Sequence, residues 1–131
     1  MFAGMGLFLS GQNGLPALGD VVMDPDEVEW ASVREYTDAG FAADFDARKD
    51  DQILIDIEVD EVSGQQRVSG VWQQNLDDRA WVEHRDLTSS EFGEKWVEYD
   101  DAGYRLIDQE SYVLDGARYY AGIWIKNLEG Y

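Results

Sequence analysis

The chain of 131 residues contains no cysteine and a single histidine, His84. Without cysteine, disulfide bonds and thiolate metal sites are both excluded. The sequence also lacks any run of 18 or more apolar residues, so it predicts no membrane span. A hydrophobic content of 44%, with 13% aromatic residues, is nevertheless enough to build a core. This length and composition suit one compact domain or a few small repeated units.

Basic residues are scarce as well, with ten lysines and arginines against 28 acidic residues and a net charge of −18. A negative field of this size repels nucleic acids and anionic membranes, so we expect neither as a partner. The acidic residues are spread along the chain and form no single tail. Three interpretations of the charge stay open: solubility, adaptation to high salt, and binding of cations or of a basic partner.

The sequence repeats itself after about fifty residues. With an offset of 51, the tryptophan, arginine, threonine and phenylalanine of "WASVREYTDAGF" meet those of "WVEHRDLTSSEF". After a gap of one residue the offset becomes 52, and further pairs follow in order. These pairs are Asp56 with Asp108, Glu58 with Glu110, Gly70 with Gly122, and Trp72 with Trp124. The pattern predicts two tandem units, 30–80 and 81–131, behind a leader at 1–29.

The leader matches neither unit well, and its first 19 residues carry no charge. Its apolar run "FAGMGLFL" is typical of a signal-peptide core, but the basic residues that normally precede such a core are missing. Two interpretations stay open for 1–29, a worn export signal and the degenerate end of another repeat.

Each unit reads as strand, helix, strand, strand. In unit two, "WVEHRDL" alternates like a strand, "TSSEF" carries a helix cap, and Gly103 ends the helix. Two strands joined by the turn "DG" follow. Unit one repeats this order, with its turn at Ser63-Gly64. The predicted fold is therefore α+β: two tandem repeats of about 51 residues, each an antiparallel sheet with one helix packed on it.

Four tryptophans recur at fixed places, and we expect them in the core at the seam between repeats, because large aromatic side chains dominate burial. They are Trp30, Trp72, Trp81 and Trp124. A sugar-stacking surface is the alternative. Gly70 and Gly122 lie two residues before a tryptophan on the same strand face, where we expect each to leave room for a ring or a neighbouring backbone.

Repeated carboxylates are the strongest chemical signal in the sequence. Asp56 with Glu58, and Asp108 with Glu110, each share one face of a strand. We expect them to pair with the repeated cations, which are Arg34 and Arg85. A solvated face and a cation site are the alternatives. Acid–base catalysis is disfavoured because an active site is rarely duplicated, and no nucleophile has a base and an orienting acid in a recognisable motif. The sequence thus predicts no catalytic residue, no cofactor and no metal.

The second unit closely resembles a known repeat. Its pattern W-x-x-x-R-D-L-T-x-x-E-F, G-Y-R-L-I-D-x-E-S-Y, Y-A-G-I-W-x-K-N within 81–127 is similar to the tandem repeats of polyglycine hydrolases, bacterial tandem repeat domain 1. Unit one departs from it, with "REYTDAGF" and "DDQILIDIEV" at the matching places. The resemblance implies a repeat fold and a secreted setting. It brings no activity, because the S-x-x-K motif of the associated β-lactamase-like domain is missing from this sequence.

These observations predict a non-catalytic repeat module that binds or scaffolds a protein, peptide or glycan. The alternatives are a hydrolase, or an accessory domain of a serine hydrolase, and a calcium-dependent adhesion module. The last strand, "GIWIKNLEGY", stops where a further unit would begin in the first copy. We therefore expect self-association through this C-terminal edge, or completion by the apolar leader.

Overall fold

The order strand, helix, strand, strand occurs twice along the chain. The computed structural model describes residues 29–130, so the predictions for the leader fall almost wholly outside the described residues. The first repeat consists of β1 (Trp30–Tyr36), α1 (Asp38–Arg48), β2 (Gln52–Val62) and β3 (Gln65–Gln74). The second consists of β4 (Trp81–Leu87), α2 (Ser89–Asp101), β5 (Tyr104–Leu114) and β6 (Ala117–Lys126). This confirms the predicted α+β fold.

Each repeat folds into one three-stranded antiparallel sheet. The strand orders are β1-β3-β2 in sheet 1 and β4-β6-β5 in sheet 2. The last strand of each repeat is therefore the central one. The prediction that β6 forms an exposed edge is wrong, because β6 is hydrogen-bonded to β4 on one side and to β5 on the other. Its backbone groups are already satisfied by its own sheet, and they cannot recruit another chain.

Local sequence explains how the elements begin and end. Thr88 caps α2, and its hydroxyl and the Glu91 carboxylate exchange hydrogen bonds with each other's backbone N–H in a capping box. Gly103 follows the helix with a left-handed φ of 86°. Both hairpin turns, Ser63-Gly64 and Asp115-Gly116, also have two consecutive positive φ angles, which suit the twist of a tight hairpin.

The predicted space at the interior glycines is confirmed. A Cβ built on Gly70 would lie 2.8 Å from Leu54 Cδ1 and 3.1 Å from Phe41 Cε1. One built on Gly122 would lie 2.7 Å from Trp124 Cη2 and 2.9 Å from Phe92 Cε1. Each glycine thus lets a phenylalanine of its helix approach the central strand.

The two sheets stack in the same orientation, so that unlike faces meet between them. We call the face of each sheet that carries its own helix the helix face, and the opposite one the back face. The back face of sheet 2 packs on the helix face of repeat 1, beside α1. The buried core crosses this boundary; it is built from Val33, Phe41, Leu54, Ile57, Val59, Val68 and Trp72 of repeat 1 and from Tyr112, Ala121 and Ile123 of repeat 2. The repeats therefore share one core, which neither could complete alone.

Candidate functional site at the seam between the repeats

The seam is the surface where the back face of sheet 2 meets repeat 1. Trp81, at the start of β4, is one anchor of this surface. The centroid of its ring lies 5.8 Å from that of Trp72 and 5.3 Å from that of Phe45. Of the four repeated tryptophans, the structure places Trp72 and Trp81 together at the seam. Trp124 is buried under α2 against Phe92 and Tyr99, and Trp30 is 59% exposed.

Arg85 is the second anchor, and it lies across the N-terminal turn of α1. Its Nε donates to Asp38 Oδ1 at 2.9 Å, and its guanidinium carbon lies 4.9 Å from the centroid of the Phe41 ring. Its Nη1 donates to both carboxylate oxygens of Glu83 at 3.1 Å. Burial acts to lower the pKa of Arg85, but Glu83 and Asp38 outweigh it and the pKa is raised. The expected pairing of Arg85 with a repeated carboxylate is therefore replaced by pairs with Asp38 and Glu83.

The repeated carboxylates of β5 have a different role from the one we expected. Asp108 Oδ2 accepts a hydrogen bond from the backbone N–H of Ile57 at 2.8 Å, and Glu110 accepts one from the N–H of Val59. Both N–H groups belong to β2, the outer strand of sheet 1 beside the seam. Side chains of one repeat thus satisfy the open backbone edge of the other, where a further strand would otherwise pair.

This arrangement crowds negative charge along the seam. Burial raises the pKa of Asp108, and the neighbouring Asp56 carboxylate raises it further, although the hydrogen bond from Ile57 opposes both effects. Burial also raises the pKa of Glu110, and Glu58 adds to the rise. The two carboxylate pairs of the sequence therefore meet face to face across the seam, and their mutual repulsion destabilises the folded state at neutral pH.

We expect Asp108→Asn to raise the melting temperature at pH 7. The amide oxygen can still accept the hydrogen bond from Ile57, while the repulsion from Asp56 disappears. Because the folded-state pKa of Asp108 is raised, the wild type gains stability as pH falls through that pKa toward the unfolded value near 4. The difference in melting temperature between variant and wild type should therefore shrink from pH 7 to pH 4.

A thermal melt series over this pH range measures the effect. Asp46→Asn, which removes an exposed carboxylate of α1, controls for the loss of one charge. A variant that melts below the wild type at pH 7 would contradict the account of the seam carboxylates.

The counterparts of the seam residues in repeat 1 are exposed to solvent. Trp30 corresponds to Trp81, and Arg34 to Arg85; Asp56 and Glu58, which correspond to Asp108 and Glu110, are exposed too. Arg34 has no ion pair within the part of the chain that the structure describes. The tryptophan and arginine positions of the seam thus occur twice, engaged on the back face of sheet 2 and open on the back face of sheet 1, whereas Asp56 and Glu58 face Asp108 and Glu110 at the border of the seam.

A second cluster of charges ties the linker between repeats to the segment after β6. Arg79 donates to the two oxygens of Glu129 at 3.0 and 2.7 Å, and to Asp77 at 2.8 Å. Hydrogen bonds to Glu129 and Asp77 raise the pKa of Arg79. Arg79 and Asp77 border an open groove of about 420 Å³. Its apolar wall is formed by Ile53, Ile55, Ile107 and Ile125.

The contacts of two side chains in the second repeat were not anticipated from the sequence. His84 is half-buried, and its Nε2 forms a hydrogen bond of 2.8 Å with the Tyr99 hydroxyl. Burial lowers the pKa of His84. Tyr112 donates its hydroxyl hydrogen to Asp86, which has a positive φ of 59° at an irregularity in β4. The unpaired residue at such an irregularity carries no signal in the sequence pattern.

Neither a metal site nor a membrane span is found in the described residues. Between residues 29 and 130, no group of three or more histidine, aspartate or glutamate side chains is placed to hold a metal ion. In the same range, α1 and α2 are both too short and too polar to span a membrane.

Comparison with known families gives two matches within the chain. Residues 27–75 and residues 78–127 each match the family described as "Polyglycine hydrolase-like, structural repeat". Together the two matches cover most of the 131 residues. No curated protein and no solved structure matches the chain.

Proposed function

The chain belongs to the family of polyglycine hydrolase-like structural repeats, and we propose that it is a non-catalytic scaffold. In this proposal the two repeats stack into one rigid body, whose outer faces hold a protein, peptide or glycan partner. A secreted setting is part of the proposal, and the family resemblance is its support.

One observation carries the proposal: the repeated polar residues are engaged in joining repeat to repeat. Arg85 contacts α1, and Asp108 and Glu110 satisfy N–H groups of β2. A catalytic carboxylate needs access to substrate and a partner of contrasting pKa. Asp108 and Glu110 instead face the backbone of the neighbouring repeat, and their pKa values move in the same direction.

The test measures rigidity, because a scaffold must hold its two repeats at a fixed separation. Absence of native cysteine allows one spin label on each helix, through Asp46→Cys in α1 and Glu94→Cys in α2; both positions are exposed. At protein concentrations low enough to keep the chain monomeric, we expect double electron–electron resonance to give a single narrow distance distribution. Adding Trp81→Ala, which removes the aromatic anchor, should broaden it. A broad distribution in the otherwise unaltered chain would sink the scaffold proposal.

A separate assay tests the proposal that the chain is not a catalyst. The full chain is incubated with an oligoglycine peptide, and new amino termini are counted over time. We expect no release above the rate without protein. Turnover that saturates with peptide concentration would overturn this proposal and would favour the hydrolase alternative.

A further inference from the structure

The back face of sheet 1 carries a second, unoccupied set of the residues that form the seam. Trp30 is 59% exposed, although its counterpart Trp81 packs between two aromatic rings. Arg34 is exposed on the same face, because it follows Trp30 by four residues along β1, as Arg85 follows Trp81 along β4. Asp56 and Glu58 lie on the same face of β2, where they are exposed to solvent and also border Asp108 and Glu110 of the seam.

The opposite end of the molecule exposes a copy of the surface that receives such a set. Trp96 corresponds to Phe45, the residue that holds Trp81, and it is 48% exposed. Val97 on α2 and Val113 on β5 are also exposed, by 61% and 44%, although their counterparts in repeat 1 are the polar residues Asp46 and Glu61. The outer N–H groups of β5 that correspond to those of Ile57 and Val59 belong to Gln109 and Ser111, both of which are exposed. Repeat 2 therefore offers an aromatic ring and outward N–H groups at the positions that repeat 1 uses at the seam.

We propose that the partner of the back face of sheet 1 is a second copy of the chain, docked head to tail. This proposal rests on the proposed scaffold role. The back face of sheet 1 of one copy packs on the α2 side of repeat 2 of the next. Trp30 then packs against Trp96, Arg34 lies over the Phe92 ring, and Asp56 with Glu58 accept hydrogen bonds from the edge of β5. Because this contact joins two different surfaces, each added copy leaves one of each surface free, and the assembly grows as an open chain.

Charge does not drive this pairing of faces. Helix α2 carries Glu91, Glu94, Glu98, Asp100 and Asp101 against the single cation Lys95. The back face of sheet 1 brings Arg34 and Arg67 toward this helix, but Asp56, Glu58 and Asp60 lie on the same face. The pairing does remove Arg34 from an exposed position and gives it an aromatic face, as Arg85 has at Phe41.

Two differences from the seam make the contact between copies weaker than the contact within one chain. Three central back-face positions of sheet 2, namely Tyr119, Ala121 and Ile125, correspond to Arg67, Ser69 and Gln73 in sheet 1. In addition, Ser89 stands where α1 has Asp38, so Arg34 lacks that carboxylate. Because every copy carries a charge of −18, the copies repel one another, and added salt should strengthen their association by screening.

Sedimentation velocity of the full chain tests the proposal, over a range of protein concentrations in low and in high salt. We expect the average mass of the wild type to rise with concentration, and more steeply in high salt. Trp30→Ala and Trp96→Ala should each raise the dissociation constant at least tenfold. Asp46→Asn, which changes an exposed residue of α1 that belongs to neither face, should leave it unchanged. Circular dichroism melts verify that each variant is folded.

A mixture of the two tryptophan variants gives the decisive measurement. Trp30→Ala retains an intact α2 side, and Trp96→Ala retains an intact back face, so an equimolar mixture should form heterodimers and stop there. If Trp96→Ala loses association while Trp30→Ala keeps it, the contact is a symmetric one between two α2 helices, and the proposal is overturned. A wild type that stays monomeric at every concentration would overturn it as well. A monomeric wild type would not contradict the rigid scaffold, because the spin-label distances test that proposal separately.

Discussion

Trp81→Ala is expected to lower the free energy of unfolding by about 3 kcal/mol, the lower end of the range for removing a large aromatic side chain, because Trp81 is only partly buried. The substitution removes the ring that lies between Trp72 and Phe45 and opens the core that the two repeats share. With the seam weakened, the repeats should also unfold less cooperatively. Urea unfolding followed by circular dichroism measures both effects, since loss of cooperativity lowers the slope of the transition.

The chain supplies a matched control in Trp30→Ala. The residue type and the position in the repeat are the same, but Trp30 is 59% exposed and touches no partner ring among the described residues. At concentrations low enough to keep the chain monomeric, its effect should stay within about 0.5 kcal/mol. Equal losses in Trp30→Ala and Trp81→Ala would contradict the asymmetric use of the two tryptophans.

The second large effect is expected for Gly122→Ala, which should destabilise the chain by about 2–3 kcal/mol through overpacking. The added methyl group would lie 2.7 Å from Trp124 Cη2 and 2.9 Å from Phe92 Cε1. Both atoms belong to rigid buried rings, which cannot move aside without disturbing α2. Gly70→Ala should cost less, because its closest contact is the end of the flexible Leu54 side chain, at 2.8 Å.

Gly93→Ala is the control for the glycine series. A Cβ at Gly93, on the exposed side of α2, has nothing within 4 Å, so alanine should stabilise the helix by about 0.5–1 kcal/mol. Thermal melts should therefore rank the variants Gly93→Ala, wild type, Gly70→Ala and Gly122→Ala, from most to least stable. A Gly122→Ala variant as stable as the wild type would show that the close approach of the two rings to β6 is not required.

Features set by local spacing could be predicted from the sequence. The capping box of Thr88 and Glu91, the left-handed Gly103 and the hairpin at Asp115-Gly116 depend only on residues a few positions apart. The repeat itself also revealed the space at Gly122, because a glycine two residues before a tryptophan recurs in both units. These signals determine the elements of each repeat and the side chains that share a face.

The order of strands and the direction of stacking could not be predicted in this way. Alternation along β6 shows which residues share a face, but it does not show which strands lie beside it, and the structure places β6 at the centre. The Arg85 partner was missed for a related reason. Asp38 has no acidic counterpart, since Ser89 occupies its position in repeat 2, and aligning the repeats reveals only shared residues. A contact between the repeats that uses a residue present in only one of them cannot be found by comparing the two repeat sequences.

A double-mutant cycle between Trp81 and Phe45 tests the seam most directly, because these residues belong to different repeats and their ring centroids lie 5.3 Å apart. Unfolding free energies of the wild type, the two alanine variants and the double variant give the coupling between the rings. The stacking described here predicts a coupling of about 1 kcal/mol for this pair. For the equivalent pair, Trp30 and Trp96, it predicts none in dilute solution. Independent effects of Trp81 and Phe45 would contradict the shared core of the two repeats.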